Sequence, residues 1–165
     1  MQLTLTDIKA HKPCPEGWKV LLGGLGKRRA DREPLTLIQV LETNGVEDAV
    51  WCLRALPPSE EPRIRMFVTA VCRALLPQVA ENARHNAERL IDWFERGAPD
   101  NERQTMRDGD ETVVRLNCAT PFMVRNLIEF LTATQPLSNI AQYVVYHALR
   151  SCLVDITPIF KEHFQ

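Results

Sequence analysis

Several groups of residues in this chain have types and spacings that could do chemistry. The glycine-rich run at 21–29, LLGGLGKRR, invites a phosphate-loop reading. A phosphate loop needs four residues between its glycines and a Ser or Thr after the lysine. It also needs a helix N-terminus behind it, whose N–H groups face the anion. Here the spacing differs, Arg28 follows Lys27, and the run comes after a helical pattern, so it reads as a helix end followed by a charged loop. His11 and Cys14 could ligate zinc, but structural zinc takes four ligands in close pairs and no second pair has metal spacing. His147 and Cys152, five residues apart, stand about 140° apart around a continuous helix and do not face each other. The carboxylates Asp92, Glu95, Asp100, Asp108, Asp110 and Glu111 surround a polar linker. Acid–base work would require a cleft that shifts their protonation, so they read as exposed acids. No nucleophile, base and orienter come together in the sequence, and neither an enzyme nor a cofactor is expected.

The remaining chemistry is that of recognition. Lys27, Arg28, Arg29 and Arg32 form a basic loop suited to phosphates or to an acidic protein surface. Arg63, Arg65 and Arg73 mark one flank of a helix, but each has acidic neighbours, and scattered charge of this kind is usually a solvated face. The linker at 96–111, RGAPDNERQTMRDGDE, adds Asp100, Glu102, Arg103 and Arg107 as a second polar surface. Trp18, Trp51 and Trp93 fall on three different helical segments. Trp51 either points into a neighbouring helix or, exposed beside Arg54, forms an interface hot spot.

Helices must position these groups. Pro15 fits a first helical position, and Trp18, Leu21, Leu22 and Leu25 recur at helical spacing until Gly23, Gly24 and Gly26 end the element. Leu35, Leu37, Ile38 and Leu41 predict a short helix stopped at Asn44-Gly45. Val46, Ala49, Val50, Leu53 and Leu56 predict the next, with Glu47 and Asp48 in its first turn and Arg54 in its last, as the macrodipole favours. Pro57-Pro58 breaks the chain. An apolar stripe from Ile64 to Leu76 follows, and Pro77 either kinks one long helix or separates two. The pattern resumes from Val79 to Phe94. Residues 112–120 fit a helical turn or a strand, and 121–133 read as helical. Pro136 opens a long helix with the stripe Leu137, Ile140, Ala141, Val144, Val145 and Ala148, and Pro158 starts a final turn. No segment alternates with period two. The fold class is therefore all-α, a compact multi-helix bundle or a short stack of helix pairs with six to eight helices in one domain. The irregular N-terminal stretch 1–34 is expected to hold one helix.

A chain of 165 residues can bury about 70% of its unfolded surface and needs no staple. The net charge of −1 exerts no global pull on nucleic acid or anionic membrane. No apolar run approaches the ~20 residues of a membrane span, and no secretory signal is evident at the N-terminus. Five widely spaced cysteines fit reduced thiols in a cytoplasm, and Cys52, Cys72 and Cys152 fall on apolar helix positions.

Three segments carry a family resemblance: KPCPEGWKVLLGGLGKRRADREPLT, VLETNGVEDAVWCLRAL and RIRMFVTAVCRAL, which lie within residues 11 to 76. Together they resemble a group of small phage and mobile-element proteins labelled immunity proteins. Those proteins share a pattern like SPCxxGWxxLLxxLGKTKADDEPLS, then ILDSNGxDDALWCLRA and an arginine-led helix. The resemblance implies a helical protein of phage or bacterial origin that acts by stoichiometric binding, and it assigns no catalytic residue. The expected activity is the neutralisation of a protein partner, a toxin or a host defence component, in the bacterial cytoplasm. A nucleic-acid-associated regulator using the basic patches, and a small enzyme of another class, are the alternatives. An apolar helix face would equally close a homodimer.

Overall fold

Two threonines organise the start of the fold. Thr4 and Thr36 are each the N-cap of a helix, and each is locked in a reciprocal capping box. The Thr4 hydroxyl accepts from the N–H of Asp7 while the Asp7 carboxylate accepts from the N–H of Thr4 (3.2 and 2.9 Å). Thr36 and Gln39 repeat the arrangement. Each box satisfies two N–H groups that the first helical turn would otherwise leave without partners. A two-residue antiparallel ladder joins β1 (Leu3–Thr4) to β2 (Pro34–Leu35), with Leu3 opposite Leu35 and Thr4 opposite Pro34. The ladder brings the two helix starts side by side.

The computed structural model describes residues 3–79, 81–97, 102, 131, 136–150 and 154–165. Over these residues the architecture is all-α. The helices are α1 (Leu5–Ala10), α2 (Pro15–Gly24), α3 (Leu37–Asn44), α4 (Val46–Trp51), α5 (Glu61–Leu75), α6 (Glu81–Glu95), α7 (Leu137–Arg150) and α8 (Ile156–Phe164). Short 3₁₀ turns at Cys52–Ala55, Pro58–Glu60 and Leu76–Gln78 join them. The expectations for 112–120 and 121–133 lie outside the described residues, apart from Leu131, which is buried. Among the described residues no helix is long and apolar enough to cross a membrane.

The central element is α5, which packs against α6, α7 and α8, while α4 packs against α3 and α7. Its stripe of Ile64, Phe67, Val68, Val71, Cys72 and Leu75 is buried. Pro77 separates α5 from α6 through a 3₁₀ turn, as one of the two readings of that proline requires. Phe67 is fully buried and meets Phe160 and Phe164 of α8 edge-on, with ring centroids 5.5 and 5.4 Å apart. Edge-to-face packing is a favoured geometry for aromatic pairs.

Four local expectations change. Leu35 does not begin a helix but lies in β2, because its buried side chain faces Leu3 across the ladder. The N-terminal stretch holds a second helix, α1, capped by Thr4. The helix expected through Leu56 ends at Trp51 and tightens into a 3₁₀ turn. The C-terminal residues form a nine-residue helix that starts at Ile156, two residues before Pro158, with Asp155 as its N-cap. Pro158 is tolerated there because the first turn needs no N–H from it.

Candidate partner-binding surface and the motif cavity

The expected basic loop is only partly free. Lys27 follows Gly26, whose positive φ of 66° turns the chain out of α2. Its ammonium bridges Asp31 at 2.6 Å and Glu33 at 2.7 Å. Hydrogen bonds to Asp31 and Glu33 hold Lys27 above the ordinary lysine value, and the bond from Lys27 holds Asp31 below the ordinary carboxylate value. Lys27 therefore pins the loop. Arg28, Arg29 and Arg32 are exposed and form no salt bridge among the described residues.

The arginines of α5 are turned onto the protein itself. Arg73 bridges Asp92 (2.8 Å) and Glu95 of α6. Arg65 donates to the Phe94 carbonyl at 3.1 Å and lies 5.0 Å from that residue's ring. Arg63 pairs with Glu60 at 3.4 Å. These contacts tie α5 to α6 and to its own first turn. Of the polar linker, Glu102 is half-buried, while Asp100, Arg103 and Arg107 lie outside the described residues.

A surface that the sequence marked only at Trp51 and Arg54 runs across α4 and α7. The Arg54 guanidinium lies 4.4 Å from the centre of the Trp51 ring, its Nε donates to the Trp51 carbonyl at 2.9 Å, and a terminal nitrogen donates to Gln142. Partial burial lowers the Arg54 value from the ordinary arginine one. Gln142 belongs to the outward stripe of α7, with Asn139, Tyr143, Tyr146 and Arg150 at helical spacing. Arg150 sits 4.8 Å from the Tyr146 ring, and Tyr146 is 42% exposed. Between α4 and this stripe lies an open groove of about 340 Å³, with Glu47 on one wall and Tyr143 and Tyr146 on the other. The His147 and Tyr143 ring centres lie 4.2 Å apart with the rings tilted 50° to each other, and burial and then Arg150 lower the His147 value from the ordinary imidazole one.

A second, smaller cavity of about 130 Å³ lies among α1, α2, α3 and α4. It is where the two most distinctive segments of the sequence meet. From PCPEGW come Cys14, Gly17 and Trp18; from NGVEDAVWC come Asn44, Asp48, Trp51 and Cys52. Cys14 is the N-cap of α2, its Sγ accepting from the Gly17 N–H at 3.3 Å. Asn44 closes the polar end, its Nδ2 donating to the Gly17 carbonyl at 2.8 Å and to Asp48 Oδ2 at 2.7 Å. Both partners are acceptors, so the amide can face them only with its nitrogen. That leaves Asn44 Oδ1 buried without a donor among the described residues. A Cβ at Gly17 would fall 2.8 Å from Asp48 Oδ2 and 3.1 Å from Cys14 Sγ, so a larger residue here would displace both side chains.

The remaining candidates for reactivity are separated. Burial pushes the Cys52 and Cys72 thiols up to about 12, whereas Cys14 is exposed. His11 and His85 are exposed, and Cys118 and Cys152 lie outside the described residues. Among the described residues no cluster of three His, Cys, Asp or Glu side chains could hold a metal ion. No protein-family model, curated protein or solved structure matches this chain.

Proposed function

We propose that this protein is a helical interaction protein that binds a protein partner stoichiometrically through the α4–α7 face. The observation that carries the reading is the linked strip Trp51–Arg54–Gln142–Tyr146–Arg150 beside an open groove. Trp, Tyr and Arg are the residues that most often dominate binding energy, because they present large rigid surface together with a polar handle. The arginines are already stacked on aromatic rings, so less side-chain entropy is lost on docking. The resemblance of residues 11–76 to phage immunity proteins supports a partner that is neutralised, a toxin or a host defence component, inside a bacterial cell.

Quantitative capture from host lysate with the wild-type chain, Arg54→Ala and Tyr146→Ala tests this. One partner should be recovered, with each substitution weakening it by about 30-fold, equivalent to about 2 kcal/mol. Recovery of the same partner unchanged by both substitutions, but lost on replacing Arg28, Arg29 and Arg32, would move the surface to the basic loop. Those three exposed arginines favour a second reading, a nucleic-acid-associated regulator. Its signature is binding to duplex or single strands that falls steeply with salt.

A further inference from the structure

We propose that the cavity between the two motif segments is a binding site for an alkylammonium group, a primary amine carried on a short aliphatic stem. This cavity is separate from the α4–α7 groove and shares Trp51 with the strip beside it. Its polar end holds the Asp48 carboxylate without a matching cation among the described residues. Asp48 accepts from the neutral amide of Asn44 and forms no salt bridge among the described residues. A half-buried carboxylate without a cationic partner among the described residues calls for a positively charged donor, and an ammonium carries three N–H groups. The rest of the wall is apolar and aromatic. Trp18 and Trp51 line it with Leu21 and Val40, and indole faces attract cations by their quadrupole.

Volume selects among cations. At about 30 Å³ per water, 130 Å³ holds about four to five water-sized groups, one for an ammonium and three or four for the carbons of its stem. One source of that group is a lysine side chain of a bound protein, and another is a free small amine. The shared chemistry is the same for both.

The test uses the full chain and n-butylammonium chloride, with n-butanol as a neutral probe of the same shape, followed through the indole N–H signals of Trp18 and Trp51. Butylammonium should shift both signals saturably, at least tenfold more tightly than butanol. Asp48→Asn keeps an oxygen for the Asn44 amide and should lower butylammonium affinity to the level of butanol. Trp18→Leu keeps an apolar wall and should weaken butylammonium several-fold while leaving butanol nearly unchanged, which covers the case of a poorly folded Asp48 variant. A peptide bearing one lysine, run beside the free amine, assigns the source: comparable binding points to a protein side chain, binding of the free amine alone to a small molecule. Absence of saturable shifts up to 100 mM, equal binding of the two probes, or an unchanged affinity in Asp48→Asn would each overturn the site. Partner capture is read on Arg54→Ala and Tyr146→Ala, which lie outside this cavity, so the two readings fail separately.

Discussion

Replacing Asn44 with aspartate should destabilise the protein at neutral pH and far less near pH 4.5. The side chain donates two hydrogen bonds, one to a backbone carbonyl and one to the Asp48 carboxylate. A neutral bond contributes about 1 kcal/mol and a charged one about 2 kcal/mol, so Asn44→Ala should cost about 2–3 kcal/mol, offset slightly by removal of the unpaired Oδ1. Asn44→Asp adds a like charge where Asp48 Oδ2 stands 2.7 Å from the present nitrogen. Two unit charges 4 Å apart near a protein surface repel by about 4 kcal/mol. Taking up one proton avoids this, but holding a proton at pH 7 on a group of ordinary value near 4 costs about 1.4 kcal/mol per pH unit, again about 4 kcal/mol. Both residues are half-buried, so solvent screening brings the expected loss to about 3 kcal/mol at pH 7. The folded pair binds its proton more tightly than the unfolded chain does. The stability it retains is therefore full below the ordinary carboxylate value and is lost as pH rises. Urea denaturation of wild type, Asn44→Ala and Asn44→Asp at pH 4.5, 5.5 and 7 measures this. The aspartate variant should recover to within about 1 kcal/mol of wild type at pH 4.5, while the alanine variant stays offset by the same amount throughout. A loss for Asn44→Asp that does not change with pH would refute the Asn44–Asp48 contact on which the motif cavity depends.

Two further outcomes follow from the packing. Gly24→Ala would favour an isolated helix by about 1 kcal/mol, but its Cβ would fall 2.3 Å from Thr43 Cγ2 at the α2–α3 approach, so thermal melts should show a net loss of about 1–3 kcal/mol. Thr43→Ser, which removes that methyl group, should restore most of the loss in the double variant, and a stabilising Gly24→Ala would exclude the close approach. Peptide mapping after brief alkylation should find Cys14 modified in the native protein, and Cys52 and Cys72 modified only in denaturant. Burial raises both thiols, so their contribution to stability is present below the ordinary thiol value and is lost as pH rises through alkaline values, which a pH series of melts detects.

How much of the site was legible depends on which interactions are local. The Trp51–Arg54 pair was legible because the two are three residues apart and stack within one turn. The rest of that surface was not visible, since Gln142 reaches Arg54 across 88 positions of sequence and only the packing of α7 on α4 joins them. The basic cluster at 27–32 read as four free charges, yet Asp31 and Glu33 fold back on Lys27 and leave three. The arginines of α5 have the spacing of a solvated flank, yet Arg73 reaches Asp92 and Glu95 of α6. The carboxylates of a partner helix cannot be read from the helix they neutralise.

Local rules account for what the sequence determined by itself. Apolar spacing defined α5, α6 and α7, Pro15 opened α2, and Gly45, with its φ of 85°, stopped α3, because periodicity and backbone sterics act within a few residues. Tertiary structure decided the rest. A ladder of two residues has no period to detect, and Leu3 finds Leu35 only when the chain folds back. The helix α8 is held by Phe160 and Phe164 against Phe67, nearly a hundred residues away in sequence, so its burial could not be read from KEHFQ. PCPEGW and NGVEDAVWC were conspicuous as sequence. That they close one cavity around Asp48 depends on a hydrogen bond from Asn44 to Gly17, 27 positions apart, which forms only when α2 and α3 pack.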